Sequence, residues 1–171
     1  MPNVGKTCSS IQSLWGKTLV VSTEDRDLEV SIGASGRNPK EIVYTYYDNL
    51  KEAISFLYSE EVYEYDTVLF DSLSEGMNVL ADEIRDHAWE AKQKDSKDEI
   101  QKALATEAKM NSEDYGVLAE QTRRLMKALR KLTRAGKTVV CTARLDAAPS
   151  WNRYLEYAPL LRGKAYGRDY D

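Results

Sequence analysis

Cysteine is scarce: Cys8 and Cys141 are the two in 171 residues. Two thiols are too few for a disulfide scaffold and have no metal-ligand spacing, so a reducing cytoplasm is the expected compartment. Long apolar runs are missing too. No stretch approaches the ~18 consecutive apolar residues of a membrane span, so no membrane partner is expected. Polar Cys8-Ser9-Ser10 stands where the apolar run of a secretory signal would be. An excess of positive charge is also absent: 24 Lys and Arg face 28 Asp and Glu, a net charge of −4. Contact with nucleic acid would have to come from a local patch. Proline occurs only at positions 2, 39, 149 and 159, which leaves a long middle stretch open to regular structure. There is no internal repeat, and the length suits one domain with a proper core.

Short apolar runs alternate with helical patterns. Residues 6–14 read as a helix with Ile11 and Leu14 as its apolar contacts, ended by Gly16. Thr18 to Val21 reads as a buried strand, followed by the acids Glu24, Asp25 and Asp27. Gly33, Gly36, Asn38 and Pro39 mark a loop before a second short strand at Ile42-Val43-Tyr44. Asn49 to Tyr58 reads as a helix with Leu50, Ile54 and Leu57 on one stripe, and Thr67 to Phe70 as a third buried strand ending at Asp71. From Glu75 to Arg134 the pattern is helical. Met77, Leu80, Ile84 and Ala88 form one stripe, and Leu118, Leu125, Leu129 and Leu132 form the buried face of a long helix closed by Gly136. Between the two stripes the chain is strongly charged. Thr138 to Cys141 reads as a fourth buried strand. Strands alternating with helices imply a parallel α/β sheet covered by helices on both faces.

The segment Met1-Pro2-Asn3-Val4-Gly5-Lys6-Thr7 carries the strongest chemical signal. It matches the phosphate-loop pattern of Gly, four residues, then Gly-Lys-Ser/Thr, except that the first glycine would fall one position before Met1. Gly5 lets the backbone approach phosphates, Lys6 neutralises the β- and γ-phosphates, and Thr7 offers a hydroxyl to Mg²⁺. The backbone from Asn3 and Val4 through Cys8 supplies N–H groups for an anion nest. Gly16-Lys17-Thr18 repeats the tripeptide by chance, because a strand and not a helix follows it. A phosphate loop normally follows a central strand. The chain is therefore expected to be a piece cut at both ends, lacking the first strand and the closing strands. Such a piece should be poorly stable and prone to aggregate.

Two carboxylates fit beside this loop. Asp71 ends a buried strand, where ligands bind in open α/β sheets, and can hold Mg²⁺ opposite Thr7. Glu24 follows the strand after the phosphate-loop helix and is positioned to activate the attacking water, with Asp25 as the fallback. Thr142 and Arg144 follow the fourth strand. Two readings of them stand: sensors of the γ-phosphate, or ordinary strand-end polarity.

The order of these parts resembles the phage-type AAA/RecA-like P-loop ATPases, which include core-only RecA paralogues acting in single-strand annealing. The motifs in question are Gly5-Lys6-Thr7, Ser22-Thr23-Glu24, the run from Tyr65 to Ser72, Asp114-Tyr115-Gly116 leading a long helix, and the run from Thr138 to Arg144. The resemblance covers nearly the whole chain. It implies a partial RecA-like core over residues 1–171, with a charged helical insert at about 75–112. It also implies ATP, Mg²⁺, catalysis by Glu24 with Lys6, a homo-oligomer, and DNA metabolism with single-stranded DNA and a single-strand-binding protein as partners. In such proteins the loops after the fourth strand bind DNA, and a cation beyond them reaches a neighbour's ATP.

Two basic regions suit a DNA surface. Seven Lys and Arg and no acids lie between Arg123 and Lys137, and Arg123, Lys127, Arg130 and Arg134 fall opposite the leucine stripe. In the tail, Trp151, Tyr154, Tyr157, Tyr166 and Tyr170 are interleaved with Arg153, Arg162, Lys164 and Arg168. Aromatics with cations suit stacking on single-strand bases. They equally suit packing against further strands, and Arg162 or Lys164 is the candidate finger reaching a neighbour's nucleotide. His87 is expected to face solvent. Cys8, Cys141, Trp15 and Trp89 are expected to be packed. The leading expectation is an ATP-hydrolysing protein acting on single-stranded DNA in phage recombination or replication. The rivals are a small-molecule or nucleoside kinase and a non-hydrolysing nucleotide-binding regulator or assembly protein. The segment 92–113 has several lysines but no arginine, which weighs against a kinase lid.

Overall fold

The computed structural model describes residues 6–25, 27–95, 112–147 and 157–159. In chain order the elements are α1 (Lys6–Ser13), β1 (Thr18–Ser22), α2 (Leu28–Ala34), β2 (Ile42–Tyr46), α3 (Leu50–Leu57), β3 (Thr67–Asp71), α4 (Leu73–Asp95), α5 (Ser112–Arg134), β4 (Thr138–Cys141), β5 (Leu145–Ala147) and β6 (Tyr157–Pro159). Single 3₁₀ turns precede β2 and β3. Four strands form one parallel sheet in the order β2-β1-β3-β4, and β5 and β6 pair antiparallel.

The sheet's centre follows from its side chains. Every residue of Thr-Leu-Val-Val-Ser in β1 and of Thr-Val-Leu-Phe-Asp in β3 is buried. Strands this apolar need cover on both faces, which a helix-clad parallel sheet provides. Alternation then divides them. Leu19, Val21, Val68 and Phe70 face one way, into a core completed by Leu50, Ile54 and Leu57 of α3, Leu80 of α4 and Leu118, Leu125 and Leu132 of α5. Val20 and Leu69 face the other way and meet Ile11 and Leu14 at α1 with Leu28 and Ile32 of α2. Helices therefore cover both faces, as the periodicity implied.

The helix starts are capped locally. The Asn49 side chain accepts the N–H groups of Lys51 and Glu52 at α3, and Asp27 accepts the N–H of Glu29 at α2. Helix α2 stands where the glycines suggested only loop. Gly33 weakens its propensity, but the Asp27 cap and the burial of Leu28 and Ile32 outweigh that cost. The loop begins after it.

Three expectations about burial are corrected. Trp15 is 59% exposed and Trp89 38% exposed, so neither fills a core. Trp15 contributes its backbone instead, its carbonyl accepting the Thr67 hydroxyl at 2.9 Å. Cys8 is half-buried and Cys141 exposed. Strand β4 is half-buried along Thr138 to Val140, unlike β1 and β3, because among the described residues it pairs only with β3. His87 is exposed, as expected. The expected insert at 75–112 begins inside α4, whose early turns bury Met77, Leu80 and Ala81. Residues 96–111 lie outside the described residues.

Candidate functional site

Parallel strands bring their C-terminal ends to one rim. The register pairs Ser22 of β1 with Asp71 of β3, so the residues following β1, β3 and β4 emerge together. Backbone bonds lock this rim. The Thr23 N–H donates to the Asp71 carbonyl at 2.9 Å, the Thr142 N–H to the Phe70 carbonyl at 3.0 Å, and the Leu73 N–H to the Thr142 carbonyl at 2.9 Å. The first turn of α1 lies against the same rim.

Asp71 is the centre of the site. It is 2% exposed, as is Thr7 in the first turn of α1. The Thr7 hydroxyl donates to Asp71 Oδ2 at 2.8 Å, and the Thr142 hydroxyl donates to Asp71 Oδ1 in a short bond. The structure thus brings together three residues singled out in sequence. A hydroxyl and a carboxylate this close form a hard oxygen donor set, which suits Mg²⁺.

Glu24 lies two residues beyond β1 and is half-buried. The Ser22 hydroxyl bonds its backbone, accepting the Glu24 N–H at 3.2 Å and lying 3.1 Å from its carbonyl. The Ser72 hydroxyl donates to Glu24 Oε1 at 2.8 Å. Arg144 reaches back over the start of α4. Its N–H donates to Ser74 Oγ at 3.0 Å and its Nη2 to Glu75 Oε2 at 2.7 Å, while its Nε is buried with no acceptor among the described residues. A buried Nε with no acceptor among the described residues, on a residue two positions after Asp71's partner Thr142, suits an anionic ligand. The rim itself is acidic. Partial burial, then the charges of Asp25, Asp48 and Glu75, push the Tyr46 phenol above its ordinary range.

Ser72, Ser74 and Glu75 were missed in sequence. Ser72-Leu73-Ser74-Glu75 fits the Ser-x-x-Glu capping box, and the Glu75 N–H does donate to Ser72 Oγ at 3.3 Å. That signal marks a helix start. The bond from Ser72 to Glu24 spans 48 positions and has no local signal.

Other candidates fall elsewhere. Lys6 opens α1. Asn3, Val4 and Gly5 lie outside the described residues, and so do Arg153, Arg162, Lys164 and Arg168. Gly16-Lys17-Thr18 is a structural junction. Gly16 has a φ of +66°, and the Lys17 N–H donates to Asp66 Oδ2 at 2.8 Å. On α5, Arg123, Lys127, Arg130 and Arg134 are exposed on the side away from the buried leucines. Glu120 receives both Arg123, at 2.7 Å, and Arg124, at 3.2 Å, and their hydrogen bonds lower its pKa to about 2. Lys131 lies over the rings of Tyr58 and Tyr63, 5.5 and 5.7 Å from their centroids. No cluster of three His, Cys, Asp or Glu suited to a metal occurs among the described residues, and no helix among them is long and apolar enough to cross a membrane.

A family model described as an AAA domain matches residues 1–166. The chain belongs to the AAA domain family. No curated protein and no solved structure matches it. The parallel sheet, with Thr7 of α1 against the Asp71 end of β3, is the α/β architecture of a P-loop ATPase-type AAA domain. An AAA domain needs no metal cluster of its own protein ligands, since one hydroxyl and one carboxylate suffice beside a nucleotide's phosphates.

Proposed function

We propose that this AAA domain binds ATP with Mg²⁺, hydrolyses it, and works as a RecA-like protein on single-stranded DNA in phage recombination or replication. The observation that carries the ATPase reading is the Thr7–Asp71 contact at the rim where Glu24 also emerges. Lys6 binds the phosphates, and Asn3 through Cys8 supply the nest around them. Thr7 and Asp71 would hold the magnesium ion. When bound, that ion neutralises charge developing on the phosphates. Glu24 orients the attacking water and accepts its proton. The orphaned Nε of Arg144 suits a phosphate oxygen, and the Thr142 hydroxyl on Asp71 links β4 to the metal site. Together they fit a sensor role.

The DNA reading rests on the family resemblance and on the exposed basic face of α5. Lys127, Arg130 and Arg134 fit a phosphate backbone. The tail cations Arg153, Arg162, Lys164 and Arg168 are proposed for single-stranded DNA or for a neighbour's nucleotide within a homo-oligomer. A cytoplasmic setting and a single-strand-binding protein as partner belong to the same proposal.

The test is ATP turnover measured with and without single-stranded DNA, and with added nucleosides. Stimulation by DNA is the expected result. Turnover only with a nucleoside would establish a kinase, and tight binding without turnover a regulator. Either outcome overturns the proposal.

A further inference from the structure

Glu24 sits on a loop beyond its strand, so something must hold its carboxylate. Ser72, buried in the turn between β3 and α4, holds one of its oxygens. Its single hydroxyl proton goes to Glu24 Oε1 at 2.8 Å, and its oxygen accepts the Glu75 N–H at 3.3 Å. Its carbonyl accepts the Thr23 hydroxyl at 2.9 Å, which ties the residue before Glu24 to the same point. One serine therefore connects the end of β1 to the first turn of α4. The far side of that turn is gripped by Arg144, whose Nη2 meets Glu75 Oε2 at 2.7 Å and whose N–H meets Ser74 Oγ at 3.0 Å.

From this chain of contacts we infer that Ser72 is the positioning residue for Glu24, and that the first turn of α4 transmits the placement of Arg144 to it. The inference deepens the ATPase reading and rests on Glu24 as the residue that activates water. A hydroxyl has one proton to give, and the Glu75 N–H occupies a lone pair on the same oxygen. The direction of the bond to Glu24 is thereby set. A shift of the α4 turn moves Ser72, and with it the carboxylate. Arg144 lies beside that turn with a buried donor that has no acceptor among the described residues. A ligand that takes up Nε repositions the guanidinium whose Nη2 holds Glu75, and so reaches Glu24 without touching it.

The experiment is steady-state ATP turnover by the whole protein carrying Ser72→Ala, Ser72→Thr, Arg144→Ala, the Ser72→Ala/Arg144→Ala pair, or Glu24→Gln. Circular dichroism confirms that each is folded. Ser72→Ala is expected to lower kcat about 10- to 100-fold, the scale of a misplaced catalytic group. KM and the affinity for a non-hydrolysable ATP analogue should stay within about twofold of the parent's if ground-state binding is untouched. Ser72→Thr, which keeps the hydroxyl, should recover most of the loss. The double variant should lose less than the product of the two single losses, because both lie on one path. An unchanged kcat in Ser72→Ala, or a Thr variant as slow as the Ala variant, overturns the positioning role. Strictly multiplicative losses overturn the link to Arg144. Glu24→Gln separates the two levels: if it is inactive while Ser72→Ala is unimpaired, only this inference falls. If it turns over normally, the reading of Glu24 falls and this inference with it.

Discussion

The Thr7 hydroxyl and the Asp71 carboxylate meet at 2.8 Å although 64 positions of sequence separate them, and both are buried. Burying a carboxylate is costly unless hydrogen bonds compensate it. Here Thr7 takes one oxygen and Thr142 the other, which ties the start of α1 and the end of β4 to the end of β3. The same atoms that suit a magnesium ion thus also brace the sheet's rim.

Asp71→Ala should therefore harm both stability and activity. It removes the acceptor of two hydroxyls in a dry site, a loss of about 1–3 kcal/mol. Urea denaturation should show a lower midpoint with an unchanged slope. ATP turnover in magnesium should disappear. Wild-type turnover in this variant would remove Asp71 from the site.

Lys6→Ala should leave the fold intact and abolish tight nucleotide binding. Charge-assisted hydrogen bonds contribute about 1.5–3 kcal/mol each, so affinity for a fluorescent ATP analogue with magnesium should fall by roughly 10- to 100-fold. An unchanged affinity would contradict the phosphate-loop assignment.

Gly16→Ala should destabilise without touching the site. Gly16 has a φ of +66°, and an added Cβ would stand 2.8 Å from the Cβ and Cγ of Asp66. Asp66 cannot easily retreat, since it holds the Lys17 N–H at 2.8 Å. The expected loss is about 1–3 kcal/mol, read from thermal or urea unfolding. Nucleotide affinity measured below the transition should not change.

Glu120 should make part of the α5 surface dependent on pH. Hydrogen bonds from Arg123 and Arg124 lower its pKa from an ordinary 4.5 to about 2. The folded form thus holds its proton less tightly than the unfolded chain. Stabilisation is present above the ordinary carboxylate range and drains away as pH falls from about 4.5 towards 2. The pair is exposed, so the effect is small. Comparing Glu120→Gln with the parent should reveal a stability difference at neutral pH that closes at low pH. A carboxyl titration followed by NMR should centre near 2, and a midpoint near 4.5 would disprove the ion-pair geometry.

Much of the architecture was legible in the residues. Leu118, Leu125, Leu129 and Leu132 recur at helical spacing, and all are buried on α5. The runs at 18–22 and 67–71 are too apolar for anything but the middle of a covered sheet. Asp71 stood out because a charge directly after Val68-Leu69-Phe70 has to leave the core or find partners. Helix α2 was illegible because its two buried side chains, Leu28 and Ile32, draw their stability from a core assembled elsewhere in the chain. Trp15 and Trp89 misled, because ring size predicts burial only on average.

Local pattern was enough for the four strands of the parallel sheet, for helices α1, α3, α4 and α5 and for the Gly-Lys-Thr signal, since periodicity, capping and glycine placement act within a few residues; α2, β5 and β6 escaped it. It could not choose neighbours. The order β2-β1-β3-β4 depends on which faces bury together, and the bonds from Ser72 to Glu24 and from Arg144 to Glu75 depend on that order. Such contacts join residues 48 and 69 positions apart. Their geometry comes into being only when parallel strands end flush on one rim, because a hydrogen bond needs its two atoms within about 3 Å and nothing in the adjoining sequence encodes that approach.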